Sequence, residues 1–176
     1  MGFTVLESYN VLVRHAIPHH PFAIHDPVVS SALSLLLVGL AIRTWSAGTL
    51  NKSREITQVG PYALVRNPLY IGSFMMMIAF CLLCNDWLTL AFVVGPMSFL
   101  YWLQVQSEEQ KLSDIFVSQW DCYAKKTPRF IPTNFSRAAF SGWSTFEWFR
   151  NREYRAIAAS LIGLLCIVVW RWARLS

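Results

Sequence analysis

Charge is what this sequence has least of. Asp, Glu, Lys and Arg make up 14% of its 176 residues, and 55% are hydrophobic, whereas ordinary soluble domains carry about 25% charge. That balance excludes a disordered segment and a coiled coil, and it does not suit a cytosolic globule. Cysteine is scarce too. Cys81, Cys84, Cys122 and Cys166 are too few for a disulfide scaffold, and three of them fall in apolar runs. Cys81 and Cys84 form a C-x-x-C, but inside FCLLC they read as packing thiols of a membrane helix and not as a redox pair. No cleavable signal peptide is legible either: Glu7, three prolines and four histidines interrupt the first 27 residues, where an unbroken apolar core would be needed.

What remains is apolar and aromatic. The length suits one domain over residues 1–176. Aromatic residues make up 15% of the chain, with eight Trp, and the mean hydropathy is +0.38. The apolar residues gather in runs at about 28–45, 69–84, 87–105 and 156–172. The first, of eighteen residues, would be about 27 Å long as a helix, close to a hydrocarbon core of about 30 Å. Only Asn85 and Asp86 separate the second run from the third, which predicts an antiparallel helical hairpin. The expectation is an all-α, polytopic membrane helical bundle of about four spans, five if another segment crosses. Phe3–Val13 is too short to cross and reads as an interfacial segment. Arg171 in the last run is positioned to snorkel toward headgroups.

The formal net charge of +5 sits mostly in the two long connections, 43–66 and 111–155, and not in a dense basic arm. That pattern reflects membrane topology and argues against nucleic acid. Arg43, Lys52, Arg54 and Arg66 lie in one connection and Lys111 onward in the other, so both are expected on the cytoplasmic side. Within the second, Leu112, Ile115, Phe116, Trp120 and Tyr123 recur at three- and four-residue steps opposite polar residues, predicting an amphipathic helix that ends before Thr127-Pro128. Phe140, Trp143, Phe146, Trp148 and Phe149 suit the headgroup level. His15, His19, His20 and His25 share no ligand spacing and read as a surface loop; no metal site is expected.

Three stretches are candidates for chemistry. In Gly60–Gly72, GPYALVRNPLYIG, Gly60 permits positive φ, Pro61 and Pro68 fix φ, and Pro68 drives Asn67 out of helical geometry. Irregular backbone at membrane depth belongs in protein or against a wet cavity, although Asn67 as helix cap and Pro68 as first helical residue would explain part of it equally well. Glu108 and Glu109 would bind a cationic group at the mouth of the bundle, unless Ser107–Gln110 is a capping box. Arg129, between Pro128 and Pro132, would clamp a carboxylate or phosphate, or else is one more positive-inside residue.

In order along the chain, Arg43-Thr44-Trp45-Ser46-Ala47-Gly48, Gly60-Pro61-Tyr62, Arg66-Asn67-Pro68-Leu69-Tyr70-Ile71-Gly72, Glu108-Glu109 and Pro128-Arg129-Phe130-Ile131-Pro132 resemble the isoprenylcysteine carboxyl methyltransferase family and its bacterial relatives. Asn151-Arg152-Glu153-Tyr154 resembles a weaker subgroup feature. Related phospholipid N-methyltransferases share that core. Asn67 departs from the family's better-known Arg-His-Pro-x-Tyr motif and reads as a subgroup mark.

The resemblance implies an inner-membrane enzyme that uses S-adenosylmethionine without a Rossmann domain, and no Gly-rich strand-to-helix fingerprint is present. It implies that Gly60, Pro61, Tyr62, Arg66, Asn67, Pro68 and Tyr70 cradle the cofactor. Glu108 and Glu109 would meet its cationic groups, and Arg129 a carboxylate of cofactor or acceptor; Arg66, Asn67, Glu108, Glu109 and Arg129 are the expected catalytic residues, with Glu108 or Glu109 the base if the acceptor is an amine. The implied acceptor is a lipid or lipidated carboxylate. Phosphatidylethanolamine N-methylation, a nicotinamide-dependent membrane reductase and a non-enzymatic membrane module are the rivals.

Overall fold

The computed structural model describes residues 17–51, 56–133 and 137–175; the Phe3–Val13 segment and His15 lie outside them. Among the described residues the structure is entirely helical. Helix α1, Pro27–Thr49, starts where Asp26 accepts a 2.8 Å bond from the Val28 amide and Pro27 occupies the first turn. Helix α2, Pro68–Leu83, runs back beside it. The two backbones nearly touch: a Cβ on Gly39 would lie 2.8 Å from the Gly72 carbonyl oxygen. Such small-residue contacts bring membrane helices together where no hydrophobic effect separates lipid from side chain.

A left-handed Asn85, φ 53°, turns the chain after α2. Asp86 then caps helix α3, its carboxylate accepting from the Thr89 amide at 2.9 Å. Helix α3, Trp87–Ile115, is continuous except for a wide π turn at Val93–Met97, where Pro96 has no amide to donate. Its 29 residues span about 44 Å, longer than a hydrocarbon core of about 30 Å, so its last turns project beyond the apolar layer. Those turns carry Glu108 and Glu109 in mid-helix, and the capping-box reading of Ser107–Gln110 is therefore wrong: no helix starts there.

Helix α4, Val117–Lys126, breaks from α3 at Phe116 (ψ 45°), so the amphipathic segment is two helices and not one. Helix α5, Thr145–Arg150, and helix α6, Tyr154–Leu175, complete the chain. A core of Val29, Ala32, Leu83, Cys84 and Ile167 joins α1, α2 and α6 far from the acidic pair. Cys81 is buried as well, and neither it nor Cys84 forms a disulfide. Leu37, Val38, Leu161, Leu165 and Val169 point outward.

The described residues contain three helices long and apolar enough to cross a membrane, α1, α3 and α6. The expected second span is a shorter helix of 16 residues, about 24 Å, set by Pro68 at one end and Asn85 at the other. Arg171, near the end of α6, donates to the Pro18 carbonyl at 2.6 Å.

Candidate functional site

The site forms where the end of α1, the start of α2 and the projecting end of α3 meet. Gly60 takes φ +61°, and a Cβ there would lie 2.5 Å from Thr49 Cγ2, so only glycine lets the Gly60–Ala63 turn sit on the end of α1. A few residues on, Asn67 takes φ −126° and ψ 54°, out of helical geometry, just before Pro68. The Arg66 amide donates to the Pro128 carbonyl at 2.8 Å and the Asn67 amide to the Arg129 carbonyl at 3.3 Å. Two proline-restricted segments 62 residues apart in sequence thus lie side by side, the amides of one satisfied by the carbonyls of the other.

Glu109 joins these segments to α3. It is 6% exposed, and both carboxylate oxygens are engaged. Asn67 Nδ2 donates to Oε1 at 2.9 Å, Arg129 Nε donates to Oε2 at 3.0 Å, and Arg66 Nη1 lies 3.3 Å from Oε2. Two guanidiniums share one carboxylate, the Arg66 side chain buried and that of Arg129 about a third exposed. Each guanidinium also lies over an indole, Arg66 over Trp120 at 5.7 Å and Arg129 over Trp102 at 5.1 Å. Neighbouring Glu108 faces differently: Tyr70 donates its hydroxyl to Oε1 at 2.7 Å, and Gln104 Nε2 lies 3.1 Å from the same atom.

Arg66, Asn67, Tyr70, Glu108 and Glu109 line a cavity of about 400 Å³, bounded on its other sides by Leu50, Ile56, Leu112, Phe116, Trp120 and Tyr123. That volume suits a medium-sized ligand. Two buried polar atoms in its wall, the Tyr62 hydroxyl and Arg66 Nε, have no partner among the described residues. A buried polar atom without a partner costs free energy that a ligand can recover. Tyr123 fixes the wall, its hydroxyl donating to the Tyr62 carbonyl at 2.8 Å. Burial holds both phenols above their ordinary ionisation range, so they stay neutral donors.

A second hollow of about 550 Å³ adjoins the first, lined by Phe74, Phe99, Tyr101, Trp102, Val105 and Phe130. Tyr70 lines both. Phe99 and Trp102 are exposed on the outer face of α3, so this groove opens on the apolar outer surface of that helix.

The expected residues are thus largely brought together. Tyr62, Arg66, Asn67, Pro68, Tyr70, Glu108 and Glu109 line the cavity. Gly60 and Pro61 are buried behind its wall, and Arg129 stands outside it, against Glu109. Asn67 precedes α2 but makes no capping bond with its side chain. The spacing argument missed Trp120 and Tyr123 as site residues, reading them only as an apolar face, and of the groove aromatics it named only Phe130, within the Pro128–Pro132 element. The one signal for them was aromatic residues next to the acidic pair and to Arg129. Among the described residues no group of three or more His, Cys, Asp or Glu is placed to hold a metal ion.

Comparison with known proteins gives this architecture a family. The chain is 29% identical over 114 residues to the nickel-cobalt-cadmium resistance protein NccN of Alcaligenes xylosoxydans xylosoxydans, covering 61% of this chain and 53% of that one. It is 27% identical over 142 residues to the cobalt-zinc-cadmium resistance protein CzcN of Cupriavidus metallidurans, covering 77% of this chain and 64% of that one. It thus spans between about half and two thirds of the length of these relatives. No solved structure matches it. The phospholipid methyltransferase model matches residues 28–119, from the start of α1 through the acidic pair into α4. With more than half of the sequence matched, the chain belongs to the phospholipid methyltransferase family.

Proposed function

We propose that this membrane methyltransferase takes its methyl group from S-adenosylmethionine and delivers it to a lipid-linked acceptor, most simply the carboxylate of a prenylated or similar lipidated group. The observation that carries this reading is the pairing of hollows across Tyr70: one charged, with two unpartnered polar atoms, the other apolar and open to lipid. A cofactor with a carboxylate, a ribose and two cationic centres fits the first donor set. Arg66 Nε and the Tyr62 hydroxyl are available to its oxygens, and Glu108 at the rim to a cation.

The cofactor supplies an activated methyl on a sulfonium, so the protein's task is alignment and exclusion of water. Glu109 has both oxygens committed to Asn67, Arg66 and Arg129; we read it as the strut that holds the two arginines and not as the base. Arg129 stands at the seam, its side chain over Trp102 of the groove. There it would orient an anionic acceptor head while the tail lies along Phe74, Phe99 and Phe130. We place the cavity on the cytoplasmic side of the inner membrane because the basic connections lie at that end.

The family's name favours a second acceptor, a phospholipid amine. The relatives' names tie them to nickel, cobalt, cadmium and zinc resistance, and methylation of a membrane component is how a methyltransferase would enter such a response.

Purified protein in detergent should be stabilised against heat by S-adenosylmethionine and S-adenosylhomocysteine. Stabilisation by NADPH alone would replace this reading with a reductase. Membranes incubated with radiolabelled methyl donor then separate the acceptors: base-labile label marks an ester, base-stable label a methylated amine.

A further inference from the structure

The Asn151-Arg152-Glu153 turn has no part in the cavity wall, yet it is built more tightly than a connection to α6 requires. Arg152 is left-handed, φ 56°, a conformation that a non-glycine residue rarely adopts without compensation. The residues on either side supply that compensation, and both reach the same helix. Asn151 Nδ2 donates to the Ala47 and Leu50 carbonyls at 2.9 Å each, meeting acceptors that the end of α1 would otherwise leave unpaired. Glu153, 3% exposed, takes both arms of Arg43: Nε to Oε1 at 2.7 Å and Nη2 to Oε2 at 3.0 Å. Arg43 also donates to Ser73, one turn into α2 from Tyr70.

The part of α1 gripped in this way is the platform of the site. Thr49 lies directly under Gly60, so the turn that presents Tyr62 rests on the segment that Asn151 and Glu153 hold. Arg43 and Glu153 are also among the charges that Tyr62 senses. Buried ion pairs add little net stability, and registration is their best-attested use.

We infer that Asn151 and Glu153 are positioning residues of the methyltransferase site: together with Arg43 they staple the end of α1 and the start of α2 in the register that places the Tyr62 hydroxyl in the cavity wall. The inference rests on the cofactor reading above for its binding readout. Hydrogen exchange supplies a second readout independent of that reading.

The test uses the full chain in detergent, with S-adenosylhomocysteine as probe. Asn151→Ala and Glu153→Gln should each weaken its affinity by about two- to tenfold, no more than the loss of the Tyr62 hydroxyl through which they act. Both should speed exchange at the Leu64 and Val65 amides, which donate to the Pro61 carbonyl. In a Tyr62→Phe background neither should weaken affinity further, because the staple acts through that hydroxyl. A lower melting temperature with wild-type affinity and exchange would make the turn merely structural and overturn the inference, as would additive losses with Tyr62→Phe. If the wild-type protein takes up no probe, the cofactor reading falls; exchange then decides the staple by itself, and unchanged exchange in both variants overturns it.

Discussion

Asn67 Nδ2 lies 2.9 Å from Glu109 Oε1, so a residue at the threshold of α2 spends its side chain on α3, 42 positions away, and not on the helix that it begins. This contact makes the Asn67-Pro68 corner part of the cavity wall. Asn67→Leu keeps the volume, removes the donor and leaves a buried carboxylate oxygen short of a bond, at a cost of about 1–3 kcal/mol. The melting temperature should fall by roughly 2–10 °C. Asn67→His retains a ring N–H, and we expect a folded protein with a melting temperature near that of the parent. Thermal denaturation of both variants in one detergent decides whether the amide is a strut.

Glu109 neutralises two arginines at once. Replacing it by Gln strips the buried Arg66 of its counter-ion and leaves it beside Arg129 at the cavity's edge, and loss of the buried partner costs about 3 kcal/mol. A drop of roughly 10 °C or more in melting temperature is expected, with loss of S-adenosylhomocysteine binding. Arg129→Ala removes the outer of the two cations, and its loss should be the smaller because the side chain is a third exposed. Equal melting temperatures for Glu109→Gln and the parent would deny the strut.

Tyr62 and Tyr123 are held by burial above their ordinary value of 10.0. The folded chain therefore keeps these protons where the unfolded chain releases them. Their contribution to stability is complete below about pH 10 and declines above it, because the unfolded state then binds fewer protons than the folded one. Melting temperature should be flat in this respect from pH 7 to 9 and fall beyond 10, and Tyr62→Phe should reduce the alkaline slope. The same variant should weaken S-adenosylhomocysteine about two- to tenfold, the worth of one neutral hydrogen bond. Unaltered affinity would remove Tyr62 from the binding surface.

Arg152 offers a test of stored strain. At φ 56° glycine is at ease where arginine is not, by about 1 kcal/mol. Arg152→Gly should raise the melting temperature by roughly 2–4 °C if the residue serves only to turn the chain between Asn151 and Glu153. A fall would mean that its side chain has an unrecognised partner.

The ordered motifs were readable because short-range stereochemistry writes them: Gly60, Pro61, Pro68 and Pro128 constrain the backbone whatever surrounds them. The spans were readable from run length, although α2 is shorter than its neighbours and α3 continues through the acidic pair. What spacing could not supply was partnership. Nothing local to Asn67 distinguishes a cap from a donor to Glu109, nothing local to Tyr123 reports that its hydroxyl meets the Tyr62 carbonyl, and Arg43 and Glu153 are 110 residues apart. These contacts depend on how helices dock, and docking in lipid follows from small-residue faces such as Gly39 against Gly72.

The groove makes the last prediction because it separates acceptor from cofactor. Phe74 lines only the apolar hollow, while Tyr70 lines both. Phe74→Trp adds bulk to the lipid-side wall without touching Arg66, Tyr62 or Glu108. If the tail of the acceptor lies there, the KM for a lipidated acceptor should rise several-fold while S-adenosylhomocysteine affinity stays at the parent level, since the lost interaction is one of binding in the groove alone. A short water-soluble acceptor with the same head group should be used equally well by both proteins, because it has no tail to exclude. A parallel loss of cofactor affinity would show that the two hollows are one compartment, and the division of labour across Tyr70 would have to be abandoned.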